Sequence, residues 1–127
     1  MTSQSNRRGR FGEDYAAAWL KGRGAQLLER NWRCPLGEID IIARMGDFLC
    51  FIEVKTRFSA ALGAPEEAVG RGKRRRIAES AQHYLLSHPK AAELQPRFDL
   101  ASVILEKGRE EVLSFSYLPG AFTCDDL

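Results

Sequence analysis

Apolar and polar positions alternate along this chain with two different periods. From Phe11 to Gly22 the residues Phe11, Tyr15, Ala18 and Trp19 recur at helical spacing, and Gly22 with Gly24 supplies stop signals, predicting a first helix. Ala25 to Trp32 predicts a short strand ending at Cys34-Pro35. The runs Glu38 to Ala43 and Phe48 to Lys55 are rich in β-branched and aromatic residues, and Arg44-Met45-Gly46-Asp47 between them predicts a hairpin. A loop carrying Gly63 and Pro65 follows. Ile77, Ala81, Tyr84 and Leu85 then repeat at helical spacing, predicting a second helix from about Gly72 to Leu86 that His88-Pro89 ends. Arg97 to Leu105 and Glu111 to Leu118 predict two more strands around a Lys107-Gly108 turn. The order α-β-β-β-α-β-β predicts an α/β domain, a mixed central sheet with helices packed against it.

The hairpin carries the chemistry. Residues two apart on a strand share a face. An even loop such as Met45-Gly46 pairs Arg44 with Asp47, hence Asp40 with Phe51 and Glu38 with Glu53. That register places Glu38, Asp40, Glu53 and Lys55 on one face of the sheet. Like charges facing each other across a ladder are destabilising, and buried unpaired carboxylates more so. A hard cation, Mg²⁺ or Mn²⁺, resolves the conflict, because both take oxygen ligands. A solvated hairpin face, with Lys55 neutralising Glu53, accounts for the same pattern equally well. With a metal, Lys55 would sit over the site to position water or to stabilise charge on a phosphorane, a combination suited to phosphodiester cleavage.

Size and charge narrow the context. The 127 residues fit one domain, in which 1–9 read as a flexible basic arm and 119–127 as a loose tail. No apolar run approaches the ~20 residues of a membrane span, and the polar N-terminal residues do not resemble a secretory signal, so a cytoplasmic address is expected. Cys34, Cys50 and Cys124 match no zinc spacing, and His83 and His88 are poorly spaced for a shared metal. Net charge is only +2, yet fourteen of the nineteen basic residues are arginine. Arg71, Lys73, Arg74, Arg75 and Arg76 crowd the start of the second helix, where cations oppose the helix dipole. Helix stability does not ask for them there. Arginine's planar fork and the free N–H groups of a helix N-terminus both suit phosphate, so this run and Arg57 are the expected nucleic-acid contacts. Arg7, Arg8 and Arg10 would extend them. Nothing resembles a base-reading module, so backbone or shape recognition is expected.

Glu38-Ile39-Asp40 followed by Phe51-Ile52-Glu53-Val54-Lys55 resembles the split PD-(D/E)xK nuclease motif, with Ile39 standing where the nominal proline would be. Gly9 to Glu13, Arg30 to Arg33, Glu53 to Arg57, Lys73 and Arg97-Phe98-Asp99 extend the likeness to the bacterial YraN-like family, similar to archaeal Holliday-junction resolvases. The resemblance implies a restriction-endonuclease-like fold. It also implies that Asp40 and Glu53 bind Mg²⁺ or Mn²⁺, that the Val54 carbonyl adds a ligand, and that Lys55 is catalytic. Glu13 would complete the site from the first helix, where its own context suggests only a solvent-facing residue. Glu38 would stand behind the ligands or replace one. The implied activity is hydrolysis of DNA, branched DNA included; the competing expectation is a nucleic-acid-binding protein that keeps the fold without catalysis. Junction-cleaving relatives act as dimers, so a homodimer is an expectation of the resemblance alone.

Overall fold

A computed structural model of the chain describes residues 4–59, 70–106 and 111–123, with the backbone alone for residues 4–8. Helix α1 (Gln4–Gly22) leads into β1 (Gln26–Cys34), β2 (Gly37–Met45) and β3 (Phe48–Phe58). Helix α2 (Arg71–Ser87) and a single 3-10 turn (Ala91–Glu93) precede β4 (Gln95–Leu105) and β5 (Val112–Phe122). The element order is the one the periodicities predict. The sheet runs β1-β2-β3-β4-β5 in space; β3 and β4 are parallel and every other neighbouring pair is antiparallel. The parallel pair requires a crossover, and α2 provides it. The Gly63–Pro65 loop and the Lys107-Gly108 turn lie outside the described residues.

Two boundaries differ from expectation. Helix α1 begins at Gln4 rather than Phe11, so most of the expected arm is helical. Strand β5 continues to Phe122, taking residues 119–122 out of the expected tail. The reason is tertiary. Phe122 is buried and stacks on Phe98 at 4.9 Å. Pro119 and Gly120 are accommodated where the β4–β5 register shifts, with Gly120 at φ 63.

Each face of the sheet is closed by one helix. On one side Ala16, Ala17 and Leu20 of α1 pack on Ile41, Ala43, Cys50 and Ile52. On the other, Ile77, Ala81 and Tyr84 of α2 pack on Ile42, Leu49, Phe51 and Phe98. Residues Ile39 to Ala43 are therefore buried without interruption, as a strand covered on both faces requires. Each fully buried Leu, Ile or Phe contributes about 1.5–3 kcal/mol. Helix α1 seats unusually close to β3: a Cβ on Gly12 would lie 1.8 Å from the Thr56 hydroxyl. Only glycine permits that approach, which sets the height of the next residue, Glu13, above the sheet.

On the α1 side, Asp99 anchors β4 to β5. It is 1 % exposed and accepts hydrogen bonds from Arg97 Nε at 2.9 Å, Arg97 Nη2 at 3.0 Å and the Gly120 N–H at 2.9 Å, as well as from the Tyr117 hydroxyl. The matched Arg-Phe-Asp segment thus has a structural role here, remote in kind from phosphate chemistry. Removing the carboxylate would leave the half-buried Arg97 without its counter-charge and the Tyr117 hydroxyl and Gly120 N–H without their acceptor. Asp99→Ala is expected to cost about 2–3 kcal/mol in urea unfolding, since several donors lose one charged acceptor; a loss below about 1 kcal/mol would show that the network does not hold the two strands.

Candidate active site

The hairpin closes two residues away from the expected register. Met45 pairs with Phe48, leaving Gly46 and Asp47 as the turn, and the ladder runs Arg44↔Leu49, Ile42↔Phe51 and Ile41↔Ile52. The expected pairings Arg44↔Asp47, Asp40↔Phe51 and Glu38↔Glu53 are thereby corrected. Gly46 takes a left-handed φ of 62, and the Asp47 carbonyl accepts the N–H of Gln95 at the start of β4, which fixes the turn. Because the shift is by two, the residues keep their faces. The consequence is chemical: one step past the last pair, Asp40 stands opposite Glu53, making direct partners of two acids that the expected register set diagonally on the same face.

At that step the ladder gives way to a side chain. Asp40 Oδ2 accepts the backbone N–H of Val54 at 2.8 Å. The carboxylate thus fills the place of a strand carbonyl and is fixed by it. Asp40 and Glu53 are each only 7 % exposed. Lys73, in the first turn of α2, makes a direct ion pair with Glu53 Oε1. Burial, then the adjacent Glu53, push the Asp40 carboxyl up to about 8, against the Val54 hydrogen bond, with Glu13 adding to the rise and Lys73 opposing it. Glu13 reaches the same region from α1. Its carboxyl is also raised, first by burial, while a hydrogen bond from Asn31 and the charge of Arg30 act the other way. Arg30 lies 3.9 Å from Glu13 but 2.8 Å from Asp14, so it neutralises Glu13 only in part.

The remaining expected residues divide. Lys55 lies two residues past Glu53 on the same strand face, half-buried beside Ser102 in the parallel register. Arg57 follows on that face, its Nε buried with no hydrogen-bond partner. Glu38 is exposed and bonded to Arg33 at 3.0 Å, away from the buried pair. Val54 contributes its N–H to Asp40. In the basic run Arg71, Arg75 and Arg76 are exposed, Arg74 lies over the Phe122 ring at 5.6 Å, and Lys73 turns inward to Glu53. Lys73 therefore differs from its neighbours, although the sequence groups all five. Asn31, with its positive φ of 50, is a site residue that sequence reasoning missed. Its only signal is that asparagine tolerates the left-handed region. Among the described residues no three His, Cys, Asp or Glu side chains are already spaced to grip a metal ion.

The raised Asp40 carboxyl has a definite stability signature. Below its ordinary value of 3.8 Asp40 is protonated folded or unfolded, and above about 8 it is charged in both. Between these values the folded chain keeps a proton that the unfolded chain has lost. Stability is therefore lost as pH rises through that window. Asp40→Asn keeps an acceptor for the Val54 N–H and cannot ionise. In urea unfolding across pH it is expected to exceed the parent by more than about 1 kcal/mol under alkaline conditions and to lose that advantage near pH 4. Parallel pH profiles for the two proteins would exclude a strained carboxylate.

Comparison with known proteins places this chain in a family. The profile of "Uncharacterised protein family UPF0102" matches residues 12–103, a span that includes Glu13, Asp40, Glu53, Lys55 and Lys73. A UPF0102 protein of Syntrophotalea carbinolica is 45 % identical over 125 residues, covering 98 % of each chain. One from Moorella thermoacetica is 46 % identical over 122 residues, covering 96 % of this chain and all of its own. A third, from Parafrankia sp., is 48 % identical over 118 residues, covering 93 % of this chain and 98 % of its own. The chain belongs to the UPF0102, or YraN-like, family.

Proposed function

We propose that this protein is a divalent-metal-dependent endonuclease that hydrolyses DNA phosphodiesters, with branched or otherwise structured DNA as its substrate class. The observation that carries this reading is the buried Asp40–Glu53 pair, two acids fixed side by side where strand pairing ends. Packing does not require such a pair, and like charges in a dry site are costly. The donors are carboxylate oxygens, which suit Mg²⁺ or Mn²⁺ and not a soft metal. Asp40 Oδ1 and Glu53 would hold the ion, with Glu13 and the Val54 carbonyl as further oxygens. The bound ion would supply positive charge that acidifies water and polarises a phosphate. Lys55, on the Glu53 face, would hold the attacking water or stabilise charge developing on the phosphorus oxygens. Exposed Arg71, Arg75 and Arg76 would hold neighbouring phosphates through charge-assisted forks.

A second reading has its own observation. Lys73 already neutralises Glu53, and among the described residues no ready-made three-ligand cluster stands at the site. On that reading the protein binds nucleic acid and does not cut it. Purified protein incubated with linear, single-stranded, flapped and four-way-junction DNA in Mg²⁺, Mn²⁺ or EDTA separates the two. Cutting is expected with metal and not with EDTA, and Lys55→Ala is expected to slow it by about 10²–10³-fold. Absence of cutting on every substrate, with salt-sensitive binding retained, would leave the second reading standing.

A further inference from the structure

We infer that Lys73 is an exchangeable occupant of the carboxylate site: its ammonium fills the Glu53 position until a divalent cation displaces it, and the freed side chain then joins Arg71 and Arg75 as a phosphate ligand. The inference rests on the metal-dependent reading above and adds an order of events to it.

The two partners differ in freedom. Glu53 is held in a strand with its side chain 8 % exposed, whereas Lys73 is 43 % exposed at the first turn of a helix. Lysine is a compact charge on a flexible four-carbon stem, so it can leave without moving its backbone. The fixed partner is therefore the acid and the mobile one the amine. Charge makes the exchange favourable. Asp40, Glu53 and the half-buried Glu13 converge from β2, β3 and α1, and Lys73 brings a single positive charge. A divalent ion brings two and can touch Asp40 and Glu53 at once, whereas the contact made by Lys73 is to Glu53.

The destination is also built. Helix α2 has no side-chain cap at Gly70 and no acidic residue in its first turn, which carries Arg71, Lys73 and Arg74. A lysine released from Glu53 rejoins a helix N-terminus without a side-chain cap and with exposed Arg71 and Arg75, where the helix dipole favours an anion. Metal entry would thus convert an internal counter-charge into a DNA contact, and metal and DNA would strengthen each other's binding reciprocally.

The test uses Mn²⁺ without DNA. Binding to the parent protein and to Lys73→Gln is read from free Mn²⁺ by electron paramagnetic resonance. Wild-type protein is separately acylated with an amine-reactive label, with and without saturating Mn²⁺, and labelling of each lysine is read by peptide mass spectrometry. Lys73→Gln is expected to bind Mn²⁺ about tenfold more tightly, because the competitor is gone. Mn²⁺ is expected to raise labelling of Lys73 several-fold and to leave exposed Lys21 and Lys90 unchanged. Equal or weaker binding by the variant, or unchanged Lys73 labelling on protein shown to hold Mn²⁺, would overturn the exchange alone. If neither protein binds Mn²⁺, the exchange and the metal-dependent reading fall together.

Discussion

A single hydrogen bond sets the arrangement of this protein's acidic centre: the Val54 N–H donating to Asp40 at 2.8 Å. A strand N–H in a covered sheet must find an acceptor, and a carbonyl of the neighbouring strand is the usual one. Here a carboxylate takes that role. The substitution places an acid in the interior, fixes its orientation, and coincides with the end of the β2–β3 ladder beyond Ile41 and Ile52. Glu53 follows as a near-unavoidable neighbour, since it occupies the next position on the facing strand. The high proton affinity of Asp40 is the electrostatic consequence of the same geometry.

The rest of the fold can be understood as support for that point. The two hydrophobic clusters hold a helix to each face of β2 and β3, which removes the water that would otherwise disperse the charge. Close seating at Gly12 brings Glu13 over the strand ends from one side, and the crossover that a parallel β3–β4 pair demands brings Lys73 from the other. Asp99, equally buried, makes the contrast clear. Two donors from Arg97, one from Tyr117 and one from Gly120 satisfy it, so it is a bracket between strands. Among the described residues, Asp40 receives the Val54 N–H and Glu53 the Lys73 ammonium. The difference in satisfaction, and not burial as such, separates Asp99, which brackets two strands, from the Asp40–Glu53 pair.

The family match covers residues 12–103, a span that contains both the acidic centre and the Asp99 bracket. Among the described residues no helix is long and apolar enough to cross a membrane. At the start of α2, the element that brings Lys73 to Glu53, Arg71, Arg75 and Arg76 are exposed.

The sequence by itself determined what depends on neighbours along the chain. Helical spacing of Ile77, Ala81, Tyr84 and Leu85 located α2, and strand alternation with a hairpin loop of even length put Asp40, Glu53 and Lys55 on one face, because the observed shift of two preserves sides where a shift of one would not. The family likeness was legible from the same residues. Only the tertiary structure decided which acids meet, since a turn at Gly46-Asp47 instead of Met45-Gly46 changes partners without changing faces. It also decided that Lys73 leaves the basic run to pair with Glu53, that Asn31 supports Glu13, and that residues 119–122 complete β5 by burying Phe122. These are contacts between segments far apart in the chain. Periodicity carries the direction of a side chain relative to its own element, but the depth and angle at which elements dock come from packing that no local pattern encodes.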